Sequence, residues 1–169
     1  MLVGLMSDSH DRVPAIRELL ERVVERGAGM VLHAGDYCSP FSISPFLELN
    51  VPFAGVFGRN DGDREGLKAF AAKGVGIELH ESPHSFEVGG RRILIVHDLA
   101  EVLERSVEAH EIIVHGFTHK QEQRVSSGAT IINPGEACGW LHGTPSAAIL
   151  DLETKEVEFI SLTEPAWKV

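Results

Sequence analysis

Asp8 and His10 stand two residues apart just after the apolar run Leu2 to Met6. In extended backbone, side chains at that spacing project to the same side, so a carboxylate and an imidazole can hold one cation between them. This donor pair suits Mn, Fe or Zn better than Ca or Mg. Comparable residues recur after later apolar runs: Asp36 after Met30 to Ala34, Asn60 and Asp61 after Val51 to Phe57, His97 after Arg92 to Val96, and His119 beyond Ile112 to Val114. An aspartate such as Asp36 carries two oxygens and can bridge two metals about 3.5 to 4 Å apart, the spacing used in two-metal phosphoester chemistry.

Five loops can bring these side chains to one place only if the apolar runs are neighbouring strands. In open α/β sheets, sites collect beyond the carboxyl ends of strands, where connections diverge. The first run leads into a helical pattern, with Ile16, Leu19, Leu20 and Val23 at helix spacing, Pro14 near the start and Gly27 after the end. Gly89-Gly90 between Ser85 to Val88 and Arg92 to Val96 predicts a hairpin, and Leu99 to Ala109 predicts a short helix. Further short strands are expected around Val125, Ile131 to Ile132, Ala147 to Leu150 and Val157 to Ile160. The expected architecture is α/β (α+β): two mixed β-sheets packed face to face with helices outside, a four-layer αββα sandwich.

A chain of 169 residues, 43% of them hydrophobic and without a linker-like stretch, predicts one domain spanning 1–169. The net charge of -10 argues against nucleic-acid polymers and anionic membranes, which need a basic footprint. An acidic protein handling phosphate needs local positive charge, and a bound divalent cation supplies it. Cys38 and Cys138 lie far apart and form no paired spacing. The opening segment is too short for a signal peptide and no apolar stretch reaches membrane length, so a cytoplasmic protein is expected.

The motifs Ser7-Asp8-Ser9-His10, His33-Ala34-Gly35-Asp36, Gly58-Arg59-Asn60-Asp61, Val96-His97, His115-Gly116-Phe117-Thr118-His119 and Ile132-Asn133-Pro134-Gly135-Glu136, in this order, resemble those of the calcineurin-like metallophosphoesterases. The likeness is to the small bacterial and archaeal phosphodiesterases and covers nearly the whole chain. It implies a four-layer fold and hydrolysis of a phosphate ester, with a diester as the expected substrate, by water activated on a metal. It makes Asp8, His10 and His119 ligands of a first metal, with Asp36 bridging to a second that His97 would also hold. Mn is the metal expected from the resemblance, with Zn, Fe or Ni as alternatives, and homo-oligomers occur among small relatives.

The sequence departs from that pattern at the second metal. Arg59 stands where the family has a ligand Asn, Phe117 where it has a ligand His, and Leu99 where a further His often follows. An arginine stays protonated and offers a metal no lone pair. Three readings follow: Asn60 shifts by one residue to bind a weak second metal, with His115 helping; one metal remains and Arg59 acts as a fixed positive charge on phosphate; or the site binds without turnover. Within the second, Arg59, Asn60 and His97 are the candidate catalytic residues, Asn60 positioning a small phosphate-ester substrate.

Other candidates are read more plainly. His33, at the end of an apolar strand, is expected to be structural. Asp61 either orients a catalytic group or belongs to an Asn-Asp-Gly turn. Asn133-Pro134-Gly135 reads as a turn, which the family likeness also places at the substrate pocket. His80, His84, His110 and His142 are expected in loops or solvent, without chemistry. No Gly-x-Ser-x-Gly elbow supports a serine hydrolase, and the glycines form no Walker or dinucleotide loop.

Overall fold

The computed structural model describes residues 1–74 and 76–163. Its secondary structure begins with β1 (Leu2–Met6), α1 (Val13–Glu25), β2 (Val31–His33), a 3-10 turn (Pro40–Ile43), α2 (Ser44–Glu48), β3 (Phe53–Val56) and α3 (Arg64–Ala71). It continues with β4 (Ile77–His80), β5 (His84–Val88), β6 (Arg91–Ile95), a 3-10 turn (Leu99–Glu101), α4 (Glu104–Glu108), β7 (Ile112–Val114), β8 (Gln121–Ser126), β9 (Ala129–Pro134), β10 (Ser146–Asp151) and β11 (Val157–Ser161).

Among the described residues these strands form two mixed sheets, a six-stranded one in the order β11-β10-β1-β2-β3-β4 and a five-stranded one in the order β5-β6-β7-β9-β8. The first contains the parallel run β1, β2, β3 and β4, and the second the parallel run β6, β7 and β9. Because side chains alternate across a strand, β1 sends Val3 and Leu5 to one face and Met6 to the other. Val3, Leu5, Leu32, Ala34 and Val56 meet Ile93, Ile95, Ile112, Val114 and Ile132 of the other sheet in the central layer. Met6, Val31 and Phe53 instead meet Ile16, Leu19, Leu20 and Val23 of α1, together with Phe46 and Leu67. On the far side of the five-stranded sheet, Leu94, Val96, Ile113 and Ile131 are covered by Leu99, Val102 and Val107. The four-layer αββα sandwich is therefore present.

Several local expectations change. The predicted helix over Leu99 to Ala109 is two pieces, because Asp98 caps a 3-10 turn and the chain is extended at Val102 and Leu103 before α4 begins. His80 and His84 are not in loops: they end β4 and begin β5, and their rings stack 3.8 Å apart. His110 is held by Ser106 O at 2.6 Å and Ser85 Oγ at 2.9 Å. Asn133 lies within β9 rather than in a turn, with Gly135 taking the positive φ just beyond it. No helix among the described residues is long and apolar enough to cross a membrane.

Candidate metal centre

The two sheets present the carboxyl ends of their parallel strands at one edge, and the polar loops meet there. Asp8 and His10 follow β1, Asp36 follows β2, Asn60 follows β3, His97 follows β6 and His119 lies beyond β7. The backbone around them is unusual. Asp8, His10, Asp36, Phe117 and His119 all have φ between 41° and 65°, a region that costs a residue with a Cβ on the order of 1 kcal/mol or more. Close approach of the loops adds a demand for glycine. A Cβ on Gly58 would lie 2.2 Å from Asp36 Oδ1, and one on Gly116 would lie 1.9 Å from Ser7 Oγ.

Three imidazoles share one arrangement. His97 Nδ1 lies 2.8 Å from the Ala34 carbonyl, His119 Nδ1 lies 2.8 Å from Glu136 Oε2, and His10 Nδ1 lies 3.2 Å from Cys38 Sγ. With Nδ1 engaged, each ring turns Nε2 toward a carboxylate: His97 to Asp36 Oδ2 at 3.3 Å, His10 to Asp36 Oδ2 at 3.5 Å and to Asp8 Oδ1 at 3.9 Å, and His119 to Asp8 Oδ1 at 3.4 Å. His10 Nε2, His97 Nε2 and Asp8 Oδ1 are buried without a hydrogen-bond partner. An imidazole whose Nδ1 donates a hydrogen bond presents a lone pair at Nε2, and lone pairs facing carboxylate oxygens require positive charge between them. The donor set therefore fits a divalent cation. Two groups of donor atoms lie close enough together to hold one: Asp8, Asp36 and His97, and His10, His119 and Cys138.

The electrostatics follow the same geometry. Burial pushes the Asp8 carboxyl up, a shift that nearby His119 only partly offsets. Burial acts on Asp36 in the same direction, yet the His97 ring and two hydrogen bonds from Asn60 outweigh it and hold Asp36 well below the usual carboxylate range. Those bonds run from Asn60 N to Oδ1 at 2.8 Å and from Asn60 Nδ2 to Oδ2 at 2.7 Å. For His97, burial disfavours the charged ring, but Asp36 more than compensates and the pKa is raised.

Arg59 does not meet Asp36. Its Nη2 donates to Asp98 Oδ2 at 2.5 Å, and its guanidinium lies 4.2 Å from the centre of the Phe117 ring. The edge of that ring in turn meets His97, with the ring centres 5.8 Å apart. Among the described residues Asp61 makes no side-chain to side-chain hydrogen bond with a donor of the centre. Its carboxylate accepts from the backbone N–H groups of Asp36, Cys38 and Gly58 at 2.7 to 3.0 Å, tying the loops after β2 and β3 together. His33 is fully buried, accepts from Gly35 N at 3.1 Å through Nδ1, and bonds the Ser9 hydroxyl through Nε2. His115 is engaged by Glu122 Oε2 at 3.1 Å, away from the carboxylates of the centre.

Two residues of the centre escape sequence reasoning. Glu136 accepts from His119 Nδ1 and from the backbone N–H groups of Leu141 and His142, and these contacts overcome the cost of burial and hold its carboxyl low. Cys138, fully buried, arrives because Ala137 N and Cys138 N donate to the carbonyls of Ser7 and Asp8 at 2.8 and 3.0 Å. Asn133 braces the His119 loop by donating to Gly116 O and Thr118 Oγ1.

Residues 1–155 match the calcineurin-like phosphoesterase superfamily domain. The chain belongs to that superfamily. Like its members, this calcineurin-like phosphoesterase is a hydrolase acting on ester bonds. It is 34% identical over 165 residues to phosphodiesterase MJ0936 of Methanocaldococcus jannaschii, covering 96% of this chain and 99% of that one. The solved structure of an archaeal phosphodiesterase superposes with a TM-score of 0.88 at 34% identity, covering 96% of this chain and all of the other. More distant structures share the fold. The phosphoesterase YfcE of E. coli has a TM-score of 0.65 at 17% identity, covering 95% of this chain and 98% of its own. Vps29 of Entamoeba histolytica has the same TM-score at 19% identity, covering 96% of this chain and all of its own.

Proposed function

We propose that this calcineurin-like phosphoesterase hydrolyses a small phosphodiester using one firmly held divalent transition metal, with the position of a second metal given over to Arg59, Asp98 and Phe117. The observation that carries this reading is the set of buried, unpartnered donor atoms on Asp8, His10 and His97. Asp8, His10, His119 and Asp36 would hold the ion, with His97 also facing Asp36 Oδ2. A divalent metal in such a site polarises a phosphoryl oxygen and brings the pKa of water beside it toward neutrality. Manganese is the metal we take from the family resemblance, with zinc, iron or nickel as alternatives.

The protein groups around the ion have separable tasks. Asn60 fixes both oxygens of Asp36 and so aims the carboxylate. Arg59, braced by Asp98 and Phe117 and half exposed, places a permanent positive charge one ring away from His97, where a phosphoryl oxygen gaining charge can meet it. The diester preference is supported by two cavities flanking the centre. One, of about 170 Å³, has Arg59, Arg64 and His97 in its wall; the other, of about 290 Å³, has His119, Lys120, His142 and Thr144. Each leaves room for a substituent on phosphorus. The net charge of -10 favours a small substrate over a nucleic-acid polymer or an anionic membrane, and fits a protein of the cytoplasm.

The joint change at 59 and 117 also favours a second reading, in which the domain binds a phosphate-containing ligand without turning it over. Metal content per chain and turnover of a chromogenic phosphodiester with added Mn separate the two. One metal per chain with metal-dependent turnover that falls about 10- to 100-fold in Arg59→Ala is the expected result. Absence of turnover with Mn, Zn, Fe and Ni alike would leave only the binding module.

A further inference from the structure

Sulfur is the unexpected donor at this centre. Cys138 Sγ, His10 and His119 offer ligand atoms that all lie within 4.8 Å of one another, and Asp8 Oδ1 is 3.4 Å from His119 Nε2 and 3.9 Å from His10 Nε2. With metal–sulfur bonds of about 2.3 Å and metal–nitrogen bonds of about 2.0 to 2.1 Å, neighbouring donors on one ion stand about 3.5 Å apart, so binding would draw the His10, His119 and Cys138 donors closer together, with Asp8 Oδ1 facing the two rings. We propose that Cys138 is a further ligand of the first metal, adding a thiolate to the imidazoles of His10 and His119 and the carboxylates of Asp8 and Asp36. The inference rests on the reading of this centre as a metal site and adds to it a statement about which metal is preferred.

A buried cysteine alone is an ordinary small apolar residue. Here two further observations point to a ligand. Asp8 Oδ1 and His10 Nε2, beside the sulfur's partners, are buried and unpartnered. The loop that carries Cys138 is also pinned to the first metal's own loop, through Cys138 N to the Asp8 carbonyl and Ala137 N to the Ser7 carbonyl. Cys138 Sγ donates a long hydrogen bond, 3.5 Å, to Glu136 Oε2, an oxygen already engaged by His119 Nδ1 and Leu141 N, and the backbone N–H of Trp140 donates to the sulfur. Glu136 therefore orients His119 and stands beside the sulfur at once. On coordination the thiol releases its proton to solvent and binds as thiolate. A thiolate among the donors shifts preference from manganese toward zinc, cobalt and iron.

Cobalt(II) substitution of the whole chain tests this, because thiolate bound to cobalt gives an intense near-ultraviolet charge-transfer band that nitrogen and oxygen donors do not. The wild-type protein should show that band at one cobalt per chain. Cys138→Ser should lose it while retaining the weaker visible cobalt bands, and Cys38→Ser, which removes the thiol beside His10 Nδ1, should keep it. In competition binding, the ratio of zinc to manganese affinity should fall about tenfold or more in Cys138→Ser. Wild-type protein that shows the visible bands of bound cobalt without the charge-transfer band would overturn the sulfur ligand and leave the metal centre standing. Equilibrium dialysis showing that the wild type takes up no cobalt, zinc or manganese would overturn both. The wild-type spectrum decides the matter even if the serine variant does not fold, and a band that persists in folded Cys138→Ser also counts against the proposal.

Discussion

The two sides of the Asp36 carboxylate are built differently. Toward Asp8, the imidazoles of His10 and His119 each have Nδ1 engaged by a neighbour and Nε2 facing carboxylate oxygen. Toward His97, one ring keeps that arrangement, and next to it a guanidinium, a benzene ring and a carboxylate satisfy one another. The first side leaves charge and lone pairs in need of a cation. On the second side His97 Nε2 is likewise unpartnered, but Arg59 beside it is taken up by an ion pair with Asp98 and a cation–π contact with Phe117. Positions 59, 98 and 117 thus form one physical unit, and changing any of them alone should strand its partners.

The harshest way to break the comparison is to remove a donor from the first side. His119→Ala should abolish metal retention and reduce turnover on the order of 10³-fold, given that the ion supplies several kcal/mol of transition-state stabilisation. Metal analysis of the purified variant checks this, and a variant that keeps both its ion and its rate would remove His119 from the ligand set. The second side is sharpened by making it like the family pattern. Arg59→Asn with Phe117→His should raise metal content from one toward two per chain and increase turnover about tenfold. Either single change should give less than the pair, because each leaves half of the stacked unit behind. Equal metal content in the double variant and the wild type would show that ligands are missing beyond these two positions.

A fourth histidine, fully buried, serves as the control. His33 has both ring nitrogens engaged by protein groups, and burial lowers its pKa to about 3. Its Nδ1 already accepts a hydrogen bond from Gly35 N, so a second proton has nowhere to go. Below pH 6.5 the unfolded chain takes up a proton at this position that the folded chain refuses until about pH 3. Its contribution is therefore fully present above pH 6.5 and is lost as pH falls through that window, at up to about 1.4 kcal/mol per pH unit. Urea midpoints measured at stepped pH should fall more steeply in the wild type than in His33→Gln, and parallel slopes would refute this assignment.

Much of the frame could be read from the residues. The apolar run of β1, the helix spacing of α1 and the Gly89-Gly90 hairpin are local patterns, and local patterns survive without knowledge of the partners. The expected strand around Val125 is present as β8, but the rest of Gln121–Ser126 is polar and Val125 is 73% exposed, so its full extent is set by pairing with β9. The short α3 gives no such mark, since eight residues with Leu67 and Ala71 as the buried positions show too little periodicity to recognise. At the centre, the residues that stand at strand ends are legible as candidates. Glu136 and Cys138 are not, because the loop that carries them is brought there by backbone hydrogen bonds from Ala137 and Cys138 to Ser7 and Asp8 that no spacing rule reveals. The Glu-x-Cys pair after Asn133-Pro134-Gly135 was the available signal.

The donors at this edge come from both sheets, Asp8, His10 and Asp36 from one and His97 and His119 from the other. Interleaved aliphatic side chains oppose separation of two layers but hold their lateral offset only loosely, since burial has no preferred direction. A cation gripped from both layers would act as a rivet that fixes their offset. Loss of the ion should therefore loosen this one edge first and leave the helix-covered flanks in place, making the fold's weakest seam and its working surface the same few residues.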